Sequence, residues 1–232
     1  MKVLKHAGDY LEKKARLNRN RSISLIIVGF AGFPYAFLSA SFLLFIPSFI
    51  VLMIGVSFLD NYSNYKRGIE GENVVVKSLS ALDDSYYLIN DVKFPKSYGN
   101  IDHVVLGPNG IFVIETKNYR GYIRCNGDEW VKHYERGQSE YDVGSPSKQV
   151  KRNAIITKQI IESANTLKNF LNWVEGIVVF TNPKVGLTLS NPTVPVLRVE
   201  ILCEYIKNKK SKIRFSPQEI ESIGETILKQ SI

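Results

Sequence analysis

Charged residues vanish from this chain between residues 22 and 59. Of those 38 residues, 27 are apolar. As one helix the stretch would run about 57 Å at 1.5 Å per residue. The hydrocarbon core of a bilayer is only about 30 Å thick. Two helices fit better, over residues 22–37 and 42–59, joined at residues 38–41 where Ser39 and Ser41 interrupt the run. Pro34 and Pro47 would kink them, which lipid-embedded helices tolerate. The shortness of the first helix leaves a partly re-entrant hairpin open. A cleaved signal peptide ending at Ser39-Ala40-Ser41 is one alternative, but the apolar run continues for 18 residues beyond it. A single long tilted span, which would put the rest of the chain outside, is another.

Beyond residue 60 the pattern changes to short periodic segments. Apolar spacing of three and four predicts a helix over residues 65–82. Residues 86–92 read as a strand. Strands at 101–106 and 111–117 flank Gly107-Pro108-Asn109-Gly110, a strong turn signal. Strands at 122–125 and 129–134 flank Asn126-Gly127-Asp128. Residues 135–146 read as a loop. An apolar stripe of Val150, Ala154, Ile160, Ile161, Ala164, Leu167 and Leu171 predicts a helix over 147–171. Strands follow at 174–181 and 194–199. Ser216-Pro217-Gln218-Glu219 is a helix start with N1 proline and capping box. Strands alternating with helices predict an α/β layer fold. Three regions result: a basic arm at 1–21, an apolar hairpin at 22–59 and an α/β domain at 60–232.

Composition changes the picture in two ways. The net charge is +8 over 232 residues. Residues 1–21 hold seven Lys/Arg against two Asp/Glu, and residues 60–232 hold 23 against 20. Most of the basic excess therefore flanks the apolar segment. With Lys66 and Arg67 after the second helix and no charge in the joint, the positive-inside rule places both flanks in the cytoplasm. Anionic lipid headgroups are the expected partner of the arm. Two cysteines and three scattered histidines exclude a disulfide scaffold and a Cys- or His-built zinc site.

Four residues carry candidate chemistry: Glu72, Asp102, Glu115 and Lys117. With an even-numbered turn, Gly107 faces Gly110 and Asp102 faces Glu115, about 5 Å apart at Cβ. Lys117 then projects from the same face as Glu115. An odd-numbered turn would shift the register by one and separate them. Paired carboxylates repel unless a cation sits between them. Oxygen donors suit Mg²⁺ or Mn²⁺, and a bound ion lowers the pKa of its water. The bland reading of Glu115 and Lys117 is a same-face salt bridge. Against it, the preceding Ile111-Phe112-Val113-Ile114 marks a core strand, where a charge needs a partner or a purpose.

These residues lie inside longer blocks: Gly68-Ile69-Glu70-Gly71-Glu72, Tyr87-Leu88-Ile89-Asn90-Asp91-Val92, and Gly99 to Asn118 reading GNIDHVVLGPNGIFVIETKN. Gly127-Asp128-Glu129-Trp130, Pro146-Ser147-Lys148-Gln149-Val150 and Val178-Val179-Phe180-Thr181-Asn182 follow. Together, over residues 67–204, they closely resemble the NERD (nuclease-related) domain, a branch of the PD-(D/E)xK nucleases. The resemblance implies a restriction-endonuclease-like central mixed sheet flanked by helices. It implies Asp102, Glu115 and Lys117 as the catalytic trio, with Glu72 completing a Mg²⁺ (or Mn²⁺) site. Gln149 matches the family's glutamine and would contact metal-bound water or phosphate. Ile101 stands where the superfamily name has proline.

The basic face of the 147–171 helix, with Lys148, Lys151 and Arg152, reads as either a solvated surface or a phosphate-tracking patch. His103 reads as packing, and Trp130 and Tyr134 as core aromatics rather than base-stacking platforms. The expected function is a membrane-anchored, metal-dependent nuclease acting on DNA or RNA. The alternative is a catalytically inactive nucleic-acid- or protein-binding module tethered to the bilayer.

Overall fold

The computed structural model describes residues 1–39, 42–95, 97, 99–133, 140–164, 174–211 and 214–232. Residues 40 and 41 of the expected joint, Tyr134, residues 135–139 of the expected loop and residues 165–171 of the expected helix lie outside the described residues. The chain divides into two compact units, residues 9–70 and residues 1–8 with 71–232.

The first unit is two long helices. α1 spans Tyr10–Leu38 and contains Pro34. A 3₁₀ turn at Phe42–Leu44 leads into α2, Phe45–Leu79, of which residues up to 70 belong here. Both are longer than the apolar stretch predicts. Leu, Glu, Lys, Ala and Arg at 10–21 are good helix formers, and at 60–79 the hydrogen-bond ladder continues past the change in polarity despite Gly68 and Gly71, so the helix expected at 65–82 is the end of α2. The buried face of α1 is Ala15, Asn18, Ser22, Gly29 and Ala36, a run of small side chains at near-heptad spacing. Small residues let apolar helices approach closely. A Cβ on Gly29 would lie 3.0 Å from the Leu52 backbone N, and one on Gly55 3.1 Å from that of Ile26. The Ser22 hydroxyl donates to the Gly55 carbonyl at 2.7 Å. Outward-facing Ile27, Val28, Phe30, Phe37, Phe49 and Met53 stay exposed. Both helices are long and apolar enough to cross a membrane, and only 17% and 6% of their apolar windows are buried. A soluble core helix would be covered.

The second unit is a mixed α/β layer structure, as expected. β1 (Lys2–Lys5) is followed, after the first unit, by the last turns of α2. Then come β2 (Tyr87–Val92), β3 (Ile101–Gly107), β4 (Gly110–Lys117), β5 (Gly121–Asn126), β6 (Glu129–His133) and β7 (Glu140–Asp142). α3 (Pro146–Ser163), β8 (Val174–Phe180), β9 (Val185–Ser190), β10 (Val196–Arg198), α4 (Leu202–Asn208) and α5 (Pro217–Gln230) complete it. The main sheet has the order β1-β2-β3-β4-β8-β10. β2, β3 and β4 are antiparallel, and β1, β8 and β10 join in parallel. A second sheet runs β7-β6-β5-β9.

Side-chain alternation splits the core. On one face, Ile89, Val104, Val113 and Val178 meet Val150 and Ile161 of α3 and Ile223 of α5. On the other, Leu88, Val105, Ile114 and Val179 meet Val75 and Leu79 of α2 and Leu202 and Ile206 of α4. The central strands are buried on both faces, which explains why 111–114 is apolar without alternation. α5 starts at the predicted Ser216–Glu219 capping box.

The N-terminal segment departs from expectation. Read as part of a basic arm, Lys2–Lys5 instead pairs with β2, with Lys2 opposite Tyr87 and Val3 opposite Leu88. Exposure alternates along it, with Lys2 and Leu4 exposed and Val3 and Lys5 half-buried, and a lysine at each end suits an edge strand. β7, β9 and α4 were also not expected. β7 has three residues, and β9 is formed by pairing with β5 across some sixty residues, so neither has a strong local pattern.

Candidate functional site

The β3–β4 hairpin sets the geometry. Gly107 pairs with Gly110, and the ladder runs Leu106 with Ile111, Val105 with Phe112, Val104 with Val113 and His103 with Ile114. This is the even-numbered register. It is locked at the turn, where the Asn109 amide donates to the Ile206 carbonyl at 2.6 Å and accepts from the Tyr86 hydroxyl at 3.2 Å. The ladder ends at His103 and Ile114. One step on, the Asp102 carboxylate accepts the Thr116 N–H at 2.7 Å. Asp102, Glu115 and Lys117 share the parity of Val104 and Val113, so they project toward the α3 face.

Glu115 is 2% exposed. Its Oε1 accepts from Lys117 Nζ at 2.6 Å, and its Oε2 is buried with no hydrogen-bond partner among the described residues. Lys117 Nζ also lies 3.5 Å from Gln149 Oε1, on the first turn of α3. α3 is placed by its Ser145 cap, whose side chain accepts from the Lys148 N–H, with Pro146 in the first turn. Glu72 arrives from α2. The preceding residue is Gly71, where a Cβ would lie 3.0 Å from Asn118 Cβ and 3.1 Å from Thr181 Oγ1. Glycine there lets the helix come close to the end of β4.

The carboxylates feel one another. Burial, with Asp91 and Glu115 adding, raises Glu72 to about 7. Burial, then Glu115 and Glu72, raises Asp102 well above the usual carboxylate range, against the Thr116 N–H and Lys117. Burial raises Glu115, against Lys117 and Arg152. Burial opposes the charge of Lys117, but Glu115 outweighs it and holds the ammonium above its ordinary pKa. So Lys117 stays protonated and serves as a donor.

Asp91 is a fourth carboxylate near the cluster, one that sequence pattern alone does not single out. It has φ of 52°, unusual for a residue with a Cβ. Its Oδ1 accepts from the Asn100 amide and its Oδ2 from the Gly8 N–H at 3.2 Å. Lys5 Nζ donates to its carbonyl at 2.8 Å. The segment around β1 thus helps hold it. A positive φ has no reliable signature at an Asn-Asp pair in a strand.

The remaining expected residues separate. Arg152 is exposed and near enough to Glu115 to act on its titration. Lys148 is exposed. Lys151 is bound to Asp128 at 2.6 Å and to the Thr193 hydroxyl at 3.0 Å, so it braces the loop between strands. His103 is fully buried, its Nδ1 2.7 Å from Asn90 Oδ1, and burial lowers it to about 3. Trp130 is buried against Phe180 and donates to the Ser147 hydroxyl at 3.0 Å. It is not a stacking platform.

The donor set consists of carboxylate oxygens, which suits a hard divalent cation. The unpartnered Glu115 Oε2 is an acceptor available to one. Among the described residues, no three His, Cys, Asp or Glu side chains already converge as a ligand set.

A mixed sheet with helices on both faces, carrying buried acids and a paired lysine at the end of a central strand, defines a nuclease-like domain. Residues 67–181 match the profile of NERD, the nuclease-related domain. An uncharacterized protein of Bacillus anthracis is 46% identical over 61 residues, 25% of this chain. The match spans 29% of that relative's length. No solved structure matches the chain.

Proposed function

We propose that this protein is a membrane-anchored, Mg²⁺- or Mn²⁺-dependent hydrolase of phosphodiester bonds, with DNA as first substrate and RNA as second. The observation that carries the reading is Glu115. A buried carboxylate with one oxygen on Lys117 and the other unpartnered, beside two further raised carboxylates, is costly unless a cation neutralises it.

Glu115, Asp102 and Glu72 would hold the ion. When bound, such an ion supplies a nucleophilic water near neutral pH and offsets phosphoryl charge. Lys117, fixed by Glu115 and near Gln149, donates to that water or to the developing negative charge. The Gln149 amide nitrogen donates to water or phosphate. Arg152 and Lys148, on the same helix end, meet the flanking phosphates.

The anchoring rests on the exposed apolar surface of α1 and α2. β1 and residues 71–232 share one compact unit, which supports an even number of crossings and disfavours the single tilted span. The basic flanks then favour a cytoplasmic domain, with anionic lipid meeting the arm.

Incubation of the full chain in detergent micelles with DNA and RNA, with Mg²⁺, Mn²⁺ or chelator, tests the reading. Metal-dependent cleavage is expected, falling about a hundredfold or more in Glu115→Gln and in Lys117→Met. Salt-sensitive nucleic-acid retention without cleavage would establish the binding-module alternative instead.

A further inference from the structure

The unit formed by residues 9–70 contains a cavity of about 420 Å³. It lies between α1 and α2 on the charged side of the apolar hairpin. One wall is Lys13, Arg16 and Arg19, at i, i+3 and i+6 on one face of α1. The other is Tyr62, Lys66 and Ile69, at i, i+4 and i+7 on α2. Arg19 precedes the uncharged stretch by three residues, and Tyr62 follows it by three. At 1.5 Å per residue both lie about 5 Å outside the apolar band. That is headgroup depth.

The charge is not cancelled locally. Lys13 pairs with Asp9 at 3.9 Å and Lys66 with Glu70 at 3.8 Å. Asp9 and Glu12 also line the cavity, against four cationic side chains. Among the described residues neither Arg16 nor Arg19 makes an ion pair. Their guanidinium groups are the bidentate donors that phosphate geometry suits best. Tyr62 supplies an amphipathic ring of the kind enriched at this depth.

We propose that this cavity is a binding site for the phosphate headgroup of an anionic phospholipid, with Arg16 and Arg19 as its principal donors and Lys66 as support. The site rests on the reading of α1 and α2 as a membrane hairpin and turns its diffuse basic flank into a defined pocket. A bound lipid would bridge the two helices where they leave the bilayer, and so brace the base of the anchor.

The test uses the full chain. Flotation with phosphatidylcholine vesicles reports membrane insertion by itself. Protein that floats with no vesicle overturns the hairpin and the pocket together. Lipid carried through purification from mixed phosphatidylcholine–phosphatidylglycerol micelles is then measured by native mass spectrometry. Wild type is expected to retain phosphatidylglycerol preferentially. Arg16→Gln and Arg19→Gln should each weaken retention about fivefold, with phosphatidylcholine flotation unchanged. Lys14→Gln/Arg21→Gln removes two charges of the same arm that do not line the cavity, and should retain lipid like wild type. Equal retention of both lipids overturns the pocket while leaving the hairpin standing. Equal loss in the control variant does the same, because it means a diffuse field. Inorganic phosphate or glycerol phosphate that displaces the lipid at matched concentration overturns the lipid assignment in favour of a soluble phosphate ligand.

Discussion

At Glu72, burial and the Asp91 and Glu115 carboxylates bring the pKa to about 7, so this group titrates near neutral pH. Its folded pKa lies above the unfolded value of 4.5. The stability it contributes is therefore complete below about pH 4.5 and is lost as pH rises through about 7. In chelator, Glu72→Gln should gain on the order of 2 kcal/mol relative to wild type at pH 8 and little at pH 4.5. Thermal melts across that range measure it. Added Mg²⁺ should raise the wild-type Tm more at pH 8 than at pH 5.5, because the ion competes with that proton. A pH-independent difference between the two proteins would contradict the assignment. Legibility differed sharply among the site residues. Asp102 and Glu115 could be brought to the same end and face of the hairpin by counting across a two-residue turn, since the strand period is two. Asp91 could not, because its place depends on a positive φ and on Gly8 and Asn100. Lys151 looked like a phosphate contact by helix position, and the fold sets its ammonium against the Asp128 carboxylate and the Thr193 hydroxyl.

At the scale of elements, the small-residue stripe on α1 makes its own prediction. Gly29→Leu puts a side chain into the Leu52 backbone, 3.0 Å away at Cβ alone. It should destabilise the helix pair by about 1–3 kcal/mol, read by unfolding in detergent. Gly68→Ala meets nothing within 4 Å and should be neutral or stabilising by up to about 1 kcal/mol. Equal effects would argue against close packing as the role of the stripe. Long or well-bounded elements were legible: the apolar helices, the β3–β4 hairpin and the capped start of α5. Elements made by distant pairing were not. β1 exists because residues 86–89 present an open edge to it, and nothing within residues 2–5 announces that.

For the whole molecule, β1 has a topological consequence. A strand before the hairpin and a sheet after it belong to one compact unit. Both flanks of the hairpin should then lie on the same side of the membrane. Membrane-impermeant thiol labelling of Asn20→Cys and Asn73→Cys, with Cys203 replaced, should show matching protection in intact cells and matching labelling after lysis. Opposite protection would restore the single-span arrangement.

The amino-acid sequence by itself determined the apolar hairpin, the alternation of helix and strand, and the even-numbered register of the β3–β4 hairpin. Each follows from local periodicity or from a short turn, where chain geometry leaves few options. Tertiary structure alone decided that the first residues belong to the sheet, that Asp91 joins the acids and that Lys151 is engaged. It also decided that Glu115 is buried with an unpartnered oxygen. Those outcomes depend on groups far apart in the chain, whose energies appear only when burial removes water and brings their charges together.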